Sequence, residues 1–175
     1  MPIKYGFLKK DLLRQLSILI SLSIALFIYF FYRTDHTLIN KIYIAMMGHE
    51  QYINLKGLLQ HNLHLNNWVI YSLPGGLWVF AATIVSKRYN IQINDYKINL
   101  RFIPLIIVLC IEIAQFFHWN PGVFDSLDIF LGWVGWLGGI YFFKSYKNSC
   151  QRISIINMKS WFCIMTNAIV YLAHV

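Results

Sequence analysis

The residues best suited to chemistry lie in one short stretch of the sequence. Glu112 and Gln115 are three residues apart within an apolar run, so a helix places both side chains on one face. Asp125 and Asp128 follow at the start of the next apolar run. An ionised side chain inside a bilayer costs about 2.5–3.5 kcal/mol on insertion scales, which makes such groups functional candidates. The pattern predicts a ligand-binding acidic site shared by two neighbouring helices.

Each of these residues also has a structural interpretation. Asp125 suits a helix N-cap, because a carboxylate there accepts from free backbone N–H groups and is favoured by the helix dipole. Asp128 fits a first-turn carboxylate and a site residue equally well. Glu112 has no basic neighbour in the sequence, so it is either neutral through burial or part of a polar cluster with Gln115 and Asp128. Whether Glu112 and Asp128 are catalytic or structural stays open.

Catalytic and metal-binding signatures are otherwise sparse. The sequence offers no convincing nucleophile or phosphate-binding loop to accompany the carboxylates. His61 and His64 have the spacing of two metal ligands on a helix, but the sequence specifies no third ligand. We therefore expect neither a metal ion nor a cofactor.

Five apolar segments must position these residues, at about 13–32, 68–86, 102–117, 127–143 and 160–175. A transmembrane helix needs about 20 mainly apolar residues. The chain has 175 residues, of which 58% are hydrophobic and 13% charged, whereas a soluble domain has about 25% charged residues. The sequence thus predicts an all-α membrane protein, a single domain with a bundle of about five transmembrane helices. The last segment is short enough to lie in the membrane interface instead.

Basic residues alternate between the loops that separate these segments. Lysine and arginine are retained on the cytoplasmic side of a membrane, so the alternation predicts an N-in, C-out, multi-pass topology. It also explains the net charge of +8 without nucleic acid, leaving the lipid bilayer as the expected partner. The basic residues of the predicted cytoplasmic parts are Lys4, Lys9, Lys10, Arg14, Lys87, Arg88, Lys97, Arg101, Lys144, Lys147, Arg152 and Lys159.

The first outer loop, residues 33–66, is the longest. Its leucines recur at near-helical spacing among polar residues, which predicts a short helix in the outer interface; they are Leu55, Leu58, Leu59 and Leu63. The second segment then contains Pro74 and Gly75 near its outer end. Proline and glycine there favour a kink that frees backbone groups. Its depth matches that of Glu112, so we expect both residues to belong to the ligand site.

Glycines form a stripe in the fourth segment. Gly132, Gly135 and Gly139 are spaced to share one helix face with Asp128. Small residues at this spacing let a second helix approach closely. The stripe predicts helix packing, either within one chain or between subunits of a homo-oligomer.

Residues 111–128 also resemble a known family. The runs Ile111-Glu112-Ile113-Ala114-Gln115 and Phe124-Asp125-Ser126-Leu127-Asp128, followed by the three glycines, are similar to VanZ-like proteins. These are small bacterial polytopic membrane proteins whose founding member is associated with teicoplanin resistance. The resemblance implies a bacterial inner-membrane protein of the cell envelope with a link to antibiotic resistance. Its acidic residues would line an outward-facing pocket for a lipid-linked or amphipathic molecule.

The sequence departs from this family pattern at two places. The family usually has an arginine in the loop before its aspartates, where this chain has Pro121-Gly122. An asparagine expected one turn after the second aspartate is replaced by Gly132. On this reading the acidic cluster lacks its expected counter-ion.

Two other functions are compatible with the same residues. Small size and the glycine stripe suit an oligomeric pore, or an accessory subunit of a larger membrane system for transport, secretion or defence. In that case the partner is a second copy or another membrane protein. A membrane enzyme that uses Glu112 and Asp128 as an acid–base pair on a lipid is less favoured, because no nucleophile accompanies them.

Overall fold

The computed structural model describes residues 3–33, 41, 44–46, 48–93, 96–119, 122–142, 151–152 and 164–166, and this part of the chain is mostly helical. Its longer helices are α1 (Ile3–Tyr32), α2 (His49–Asn62), α3 (Asn67–Tyr71), α4 (Leu73–Ser86), α5 (Ile103–Phe116) and α6 (Ser126–Tyr141). A 3-10 turn, Leu100–Phe102, precedes α5. Three short strands are β1 (Tyr89–Ile93), β2 (Tyr96–Asn99) and β3 (Gln151–Arg152).

Two helical segments are long and apolar enough to cross a membrane, Asp11–Tyr32 and Asn67–Ser86. Helices α5 and α6 contain 14 and 16 residues. At about 1.5 Å per residue they are about 21 and 24 Å long, shorter than a hydrocarbon core of about 30 Å. The mostly helical architecture is therefore confirmed, and within the described residues two of the five predicted segments are helices long and apolar enough to cross a membrane. The predicted segment 160–175 lies outside the described residues except for 164–166, which are helical.

The second apolar segment is broken near its outer end, at Ser72 between α3 and α4. Pro74 lies in the first turn of α4, where its missing N–H leaves no hydrogen bond unmade. The Ser72 N–H donates to Trp68 O at 3.0 Å, and the Gly76 N–H donates to Ser72 O at 3.4 Å. The helical hydrogen bonding is therefore interrupted only briefly at Ser72, and Ser72 itself pairs with a residue on each side.

Helix α4 forms the centre of the described fold and packs against α1, α5 and α6. Small and branched side chains along it are fully buried, among them Val79, Ala81, Ala82 and Ile84. The outward face of α1, by contrast, exposes large apolar side chains over several turns, including Leu12, Leu16, Leu19 and Ile20. A continuous apolar surface of this kind is typical of a face covered by lipid or by a partner.

Helix α2 supplies hydrogen-bond donors to the end of α1. The last carbonyl groups of a helix have no partner within that helix. Here the Tyr52 hydroxyl donates to Phe30 O at 2.9 Å and the Gln60 amide donates to Phe31 O at 2.7 Å. Lys56 Nζ donates to Arg33 O at 3.0 Å. Residues 33–66 thus contain a helix, as predicted, and that helix holds the C-terminal end of α1 in place.

Removing the Tyr52 hydroxyl tests this attachment. Tyr52 is buried, so Tyr52→Phe leaves the Phe30 carbonyl without this donor at little cost in packing. We expect the variant to be about 0.5–1.5 kcal/mol less stable in thermal unfolding of the detergent-purified protein. The exposed Tyr141→Phe variant is the matched control and should unfold like the parent. Equal melting temperatures for all three proteins would contradict an anchoring role for α2.

A small sheet lies at the opposite end of α4, where the prediction of an all-α chain is incomplete. Strands β1 and β2 are antiparallel, with Asn90 opposite Asn99 and Ile93 opposite Tyr96. The two-residue strand β3 pairs parallel to β1. Residues 89–100 alternate polar and apolar side chains around Asn94-Asp95, a pattern typical of a hairpin. Because alternation lowers the average hydropathy, this hairpin forms no apolar run in the sequence.

Basic side chains hold the helices together at this same end. Lys87 Nζ donates to Gly139 O at 3.1 Å, and burial lowers the pKa of the Lys87 ammonium. Arg88 forms an ion pair with Asp11 at 2.9 Å, and Arg14 reaches the same carboxylate at 3.4 Å. The predicted cytoplasmic charges at this end are thus engaged within the bundle.

Candidate functional site

Four helix ends meet at the end of the bundle opposite the sheet, which we call the outer end. Helix α1 finishes here at Tyr32, and α5 finishes at Phe116. Helix α4 begins here after Ser72, and α6 begins at Ser126. The short connection between α5 and α6 makes them antiparallel neighbours. The predicted site residues are therefore brought to one end of the molecule by chain topology.

A hydrogen bond connects the buried Glu112 of α5 to the exposed Asp125 at the start of α6. Glu112 is 1% exposed, and its Oε2 accepts a hydrogen bond from the Asp125 N–H at 3.2 Å. Asp125 caps α6, because its Oδ1 accepts from the Leu127 N–H at 2.9 Å. Asp125 is exposed and has the capping role that its sequence context predicts. The backbone of the capping residue is thus hydrogen-bonded to the Glu112 carboxyl group.

Asp128 lies next to Glu112 and Ser72 in the first turn of α6. Its Oδ1 is buried and forms no hydrogen bond with any residue in the described part of the chain. Ser72 is 1% exposed, and its hydroxyl oxygen is also buried without a hydrogen-bond partner in the described part of the chain. A buried polar atom without a partner costs about 1–3 kcal/mol, and such atoms are uncommon enough to need an explanation. Glu112, Asp128 and Ser72 together are called the acidic cluster below.

Gln115 is buried one turn from Glu112 and packs against the loop that leads to α6. A Cβ added to Gly122 would lie 2.5 Å from Gln115 Nε2, and Gly122 has φ +132°. Both the close approach and the positive φ require glycine at this position. Gln115 thus fixes the path of the connection that carries Asp125 and Asp128.

Arg33, at the end of α1, provides the positive charge that the sequence motif lacks. Its Nη1 donates to the Tyr29 hydroxyl at 2.5 Å, and its guanidinium lies 4.7 Å from the centre of the Tyr29 ring. The Arg33 charge acts on Asp128. Sequence reasoning missed this neighbour because Arg33 lies in the first outer loop, far from the motif. Its position directly after an apolar segment on the predicted outer side was the available signal.

Pro74, Gly75 and Gly76, at the start of α4, differ in their environments. Pro74 is fully buried at the start of α4. A Cβ on Gly75 would meet no atom of the described chain within 4 Å. A Cβ on Gly76 would lie 2.9 Å from Leu131 O, so Gly76 belongs to the contact between α4 and α6. Ser72, which directly precedes α4, connects these three residues to the acidic cluster.

The glycine stripe of α6 lies inside the protein. A Cβ at Gly132 would lie 3.3 Å from Val108 of α5, and one at Gly139 would lie 2.8 Å from Thr83 of α4. A Cβ at Gly135 would overlap the carbonyl oxygen of Gly76. The absence of side chains therefore lets the α4 and α6 backbones touch.

Aromatic side chains surround the outer end next to the acidic cluster. Phe116 and Phe124 meet edge to face at 5.5 Å between ring centres, and Phe117 stacks on Trp119 at 5.1 Å. Trp119 is 79% exposed. We call these four residues the outer aromatic surface. Such rings favour the headgroup region of a bilayer.

The cluster is rich in hydrogen-bond acceptors and suited to binding. The carboxyl groups of Glu112 and Asp128 lie next to each other, and the Ser72 hydroxyl lies beside Asp128. No group of three or more His, Cys, Asp or Glu that could hold a metal ion occurs among the described residues.

Comparisons with known proteins give limited information. No family model matches the chain, and no solved structure matches it. ABC transporter C family member 6 of Arabidopsis thaliana is 22% identical over 107 residues, which cover 54% of this chain. The match covers 7% of that transporter, so the chain spans a small fraction of its relative's length. A match of this extent assigns no function.

Proposed function

We propose that this chain is a multi-pass protein of the bacterial inner membrane, similar to VanZ-like envelope proteins, that binds a lipid-linked or amphipathic molecule. The head of that molecule occupies the acidic cluster, and its apolar part lies against the outer aromatic surface. The observation that carries the proposal is the convergence of Glu112, Asp128 and Ser72, with two buried polar atoms that lack partners in the described chain.

The distribution of basic residues supports the orientation in this proposal. Arg14, Lys87, Arg88 and Arg101 all belong to the end of the bundle opposite the acidic cluster. Positive charges are retained on the cytoplasmic side, so the cluster faces outward in a five-crossing, N-in and C-out arrangement. A role in the envelope, including antibiotic resistance, follows from the resemblance of residues 111–128 to VanZ-like proteins.

An oligomeric pore or accessory subunit was the alternative from the sequence. It depended in part on the glycine stripe as a subunit interface. Gly132, Gly135 and Gly139 are buried against α4 and α5, so the stripe supplies no free surface for that role. Binding at the outer end is the function with the more specific support.

Photochemical labelling tests the proposed function. The chain is reconstituted into phosphatidylethanolamine and phosphatidylglycerol vesicles that contain a phospholipid with a diazirine close to its headgroup. We expect labelling to concentrate in residues 112–128, and the double variant Glu112→Gln/Asp128→Asn to remove most of it. Both substitutions keep side-chain size, and glutamine can still accept from the Asp125 N–H.

The exposed carboxylate Glu50 provides the control, because Glu50→Gln also removes a negative charge on the predicted outer side. Its labelling pattern should match that of the parent. The proposal fails if labelling is spread evenly over the apolar surface, or if the double variant leaves the pattern unchanged while remaining folded by circular dichroism.

A further inference from the structure

We infer that the bound head carries a primary ammonium group, which lies beside Glu112 and Asp128 and donates to Asp128 Oδ1 and Ser72 Oγ. This inference rests on the proposed function and names the chemical class of its ligand. Three features of the outer end support it: the balance of charge, the unmatched hydrogen-bonding atoms and the adjoining apolar surface.

The charge around Glu112 is unbalanced. The charges that act on it come from Asp128 and Asp125, both negative, whereas the Arg33 charge acts on Asp128. Glu112 also lies in the last turns of α5, where the helix dipole presents its negative end. A positively charged head would favour the ionised form of Glu112, whereas a negatively charged head placed there would oppose it.

Hydrogen bonding distinguishes a primary ammonium from other cations. Glu112 Oε2 receives the Asp125 N–H, but Asp128 Oδ1 has no donor in the described part of the chain. The hydroxyl of Ser72, which is 1% exposed and adjoins Asp128, also makes no hydrogen bond of satisfactory geometry there. An ammonium group has three N–H donors. A quaternary ammonium has none, so it could neutralise the carboxylates without satisfying these atoms.

The apolar neighbours indicate an amphiphile and not a soluble amine. Phe116 follows Gln115 directly and is 59% exposed, and its ring contacts Phe124, which precedes Asp125. Ile113, next to Glu112 in sequence, is 51% exposed. An alkyl or acyl chain attached to a head in the cluster would therefore lie directly against these exposed apolar side chains.

Native mass spectrometry of the whole purified chain tests the inference. The protein in maltoside micelles is mixed with equal amounts of phosphatidylethanolamine, phosphatidylcholine and phosphatidylglycerol that have the same acyl chains. We expect phosphatidylethanolamine to be retained about tenfold more than either of the others, as about 1.4 kcal/mol of selectivity would give. Ser72→Ala should reduce this preference, Glu112→Gln/Asp128→Asn should remove it, and Glu50→Gln should preserve it.

Dodecylamine, a single-chain amine without phosphate, is the second probe. Displacement of phosphatidylethanolamine by dodecylamine, and not by dodecanol, supports the ammonium as the recognised group, whether it comes from a phospholipid or from a simple amine. Failure of dodecylamine to displace the lipid would overturn the inference.

The variants also separate this inference from the proposed function. Equal retention of the three phospholipids that is lost in the double variant would refute the ammonium inference and leave amphiphile binding at the cluster intact. Retention that is insensitive to the double variant, or no retention of any phospholipid, would refute both. Circular dichroism and gel-filtration profiles identify any variant that has lost its fold.

Discussion

Replacing Gly135 with alanine is expected to separate α4 from α6 and to prevent a stable fold. The added Cβ would overlap the carbonyl oxygen of Gly76 and would lie 3.2 Å from the Phe80 backbone nitrogen. Overpacking a core usually costs about 1–3 kcal/mol because side chains can shift. Here the obstacle is the backbone of a helix that is buried on several sides, so the cost should exceed that range.

Gly75→Ala is the matched control for this experiment. It makes the same change close to the same helix contact, but its Cβ meets no described atom within 4 Å. Alanine is better than glycine in a helix by about 1 kcal/mol, so this variant should unfold at or above the parent temperature. Thermal unfolding and gel filtration in detergent compare the three proteins. Equal behaviour of the two alanine variants would mean that α4 and α6 do not touch at Gly76 and Gly135.

Removing the charge of Arg33 should have the second largest effect. Arg33→Met loses the hydrogen bond to the Tyr29 hydroxyl and the contact with the Tyr29 ring. A hydrogen bond that involves a charged group contributes about 1.5–3 kcal/mol. The variant also leaves Asp128 without its positive neighbour. We therefore expect a loss of stability of at least that size, measured by thermal unfolding.

A double-mutant cycle identifies the part of this loss that arises from charge. Asp128→Asn removes the carboxylate on which Arg33 acts, so Arg33→Met should cost less in the Asp128→Asn background than in the parent. Lys41→Met removes another exposed cation from the predicted outer side and should change little. Strict additivity of the two substitutions would exclude a direct electrostatic coupling between Arg33 and Asp128.

The helices were largely predictable because apolar runs and the break at Pro74 are local signals. Segment 68–86 corresponds to the described helical stretch Asn67–Ser86, and 127–143 corresponds closely to α6. The hairpin at residues 89–99 also has a local sequence signal, the strict alternation of polar and apolar residues. A period of two residues is not detected by the 3.6-residue period or the continuous hydrophobicity that indicate helices, so the prediction of an all-α chain omitted it.

The candidate site was predictable only where its members are close in sequence. Glu112 and Asp128 are joined by a short connection, so their proximity follows from antiparallel helices. Arg33 and Ser72 belong to other helices, and their arrival at the acidic cluster depends on how α1 and α4 pack. Side-chain packing of that kind depends on contacts such as Gly76 against Leu131, which no local pattern reveals.

In the proposed membrane orientation, the hydrogen bonds from α2 to the end of α1 set the depth of Arg33 in the bilayer. Unpaired carbonyl groups at a helix end are costly in hydrocarbon and are stabilised by hydrogen bonds with water. Without other donors, this would draw the end of α1 towards the aqueous phase. Tyr52, Lys56 and Gln60 remove that demand by donating to those carbonyls. The guanidinium can then remain close to Asp128, which lies in α6, five helices further along the chain. In that orientation, the depth of one charge is thus governed by helix α2, which does not itself belong to the acidic cluster.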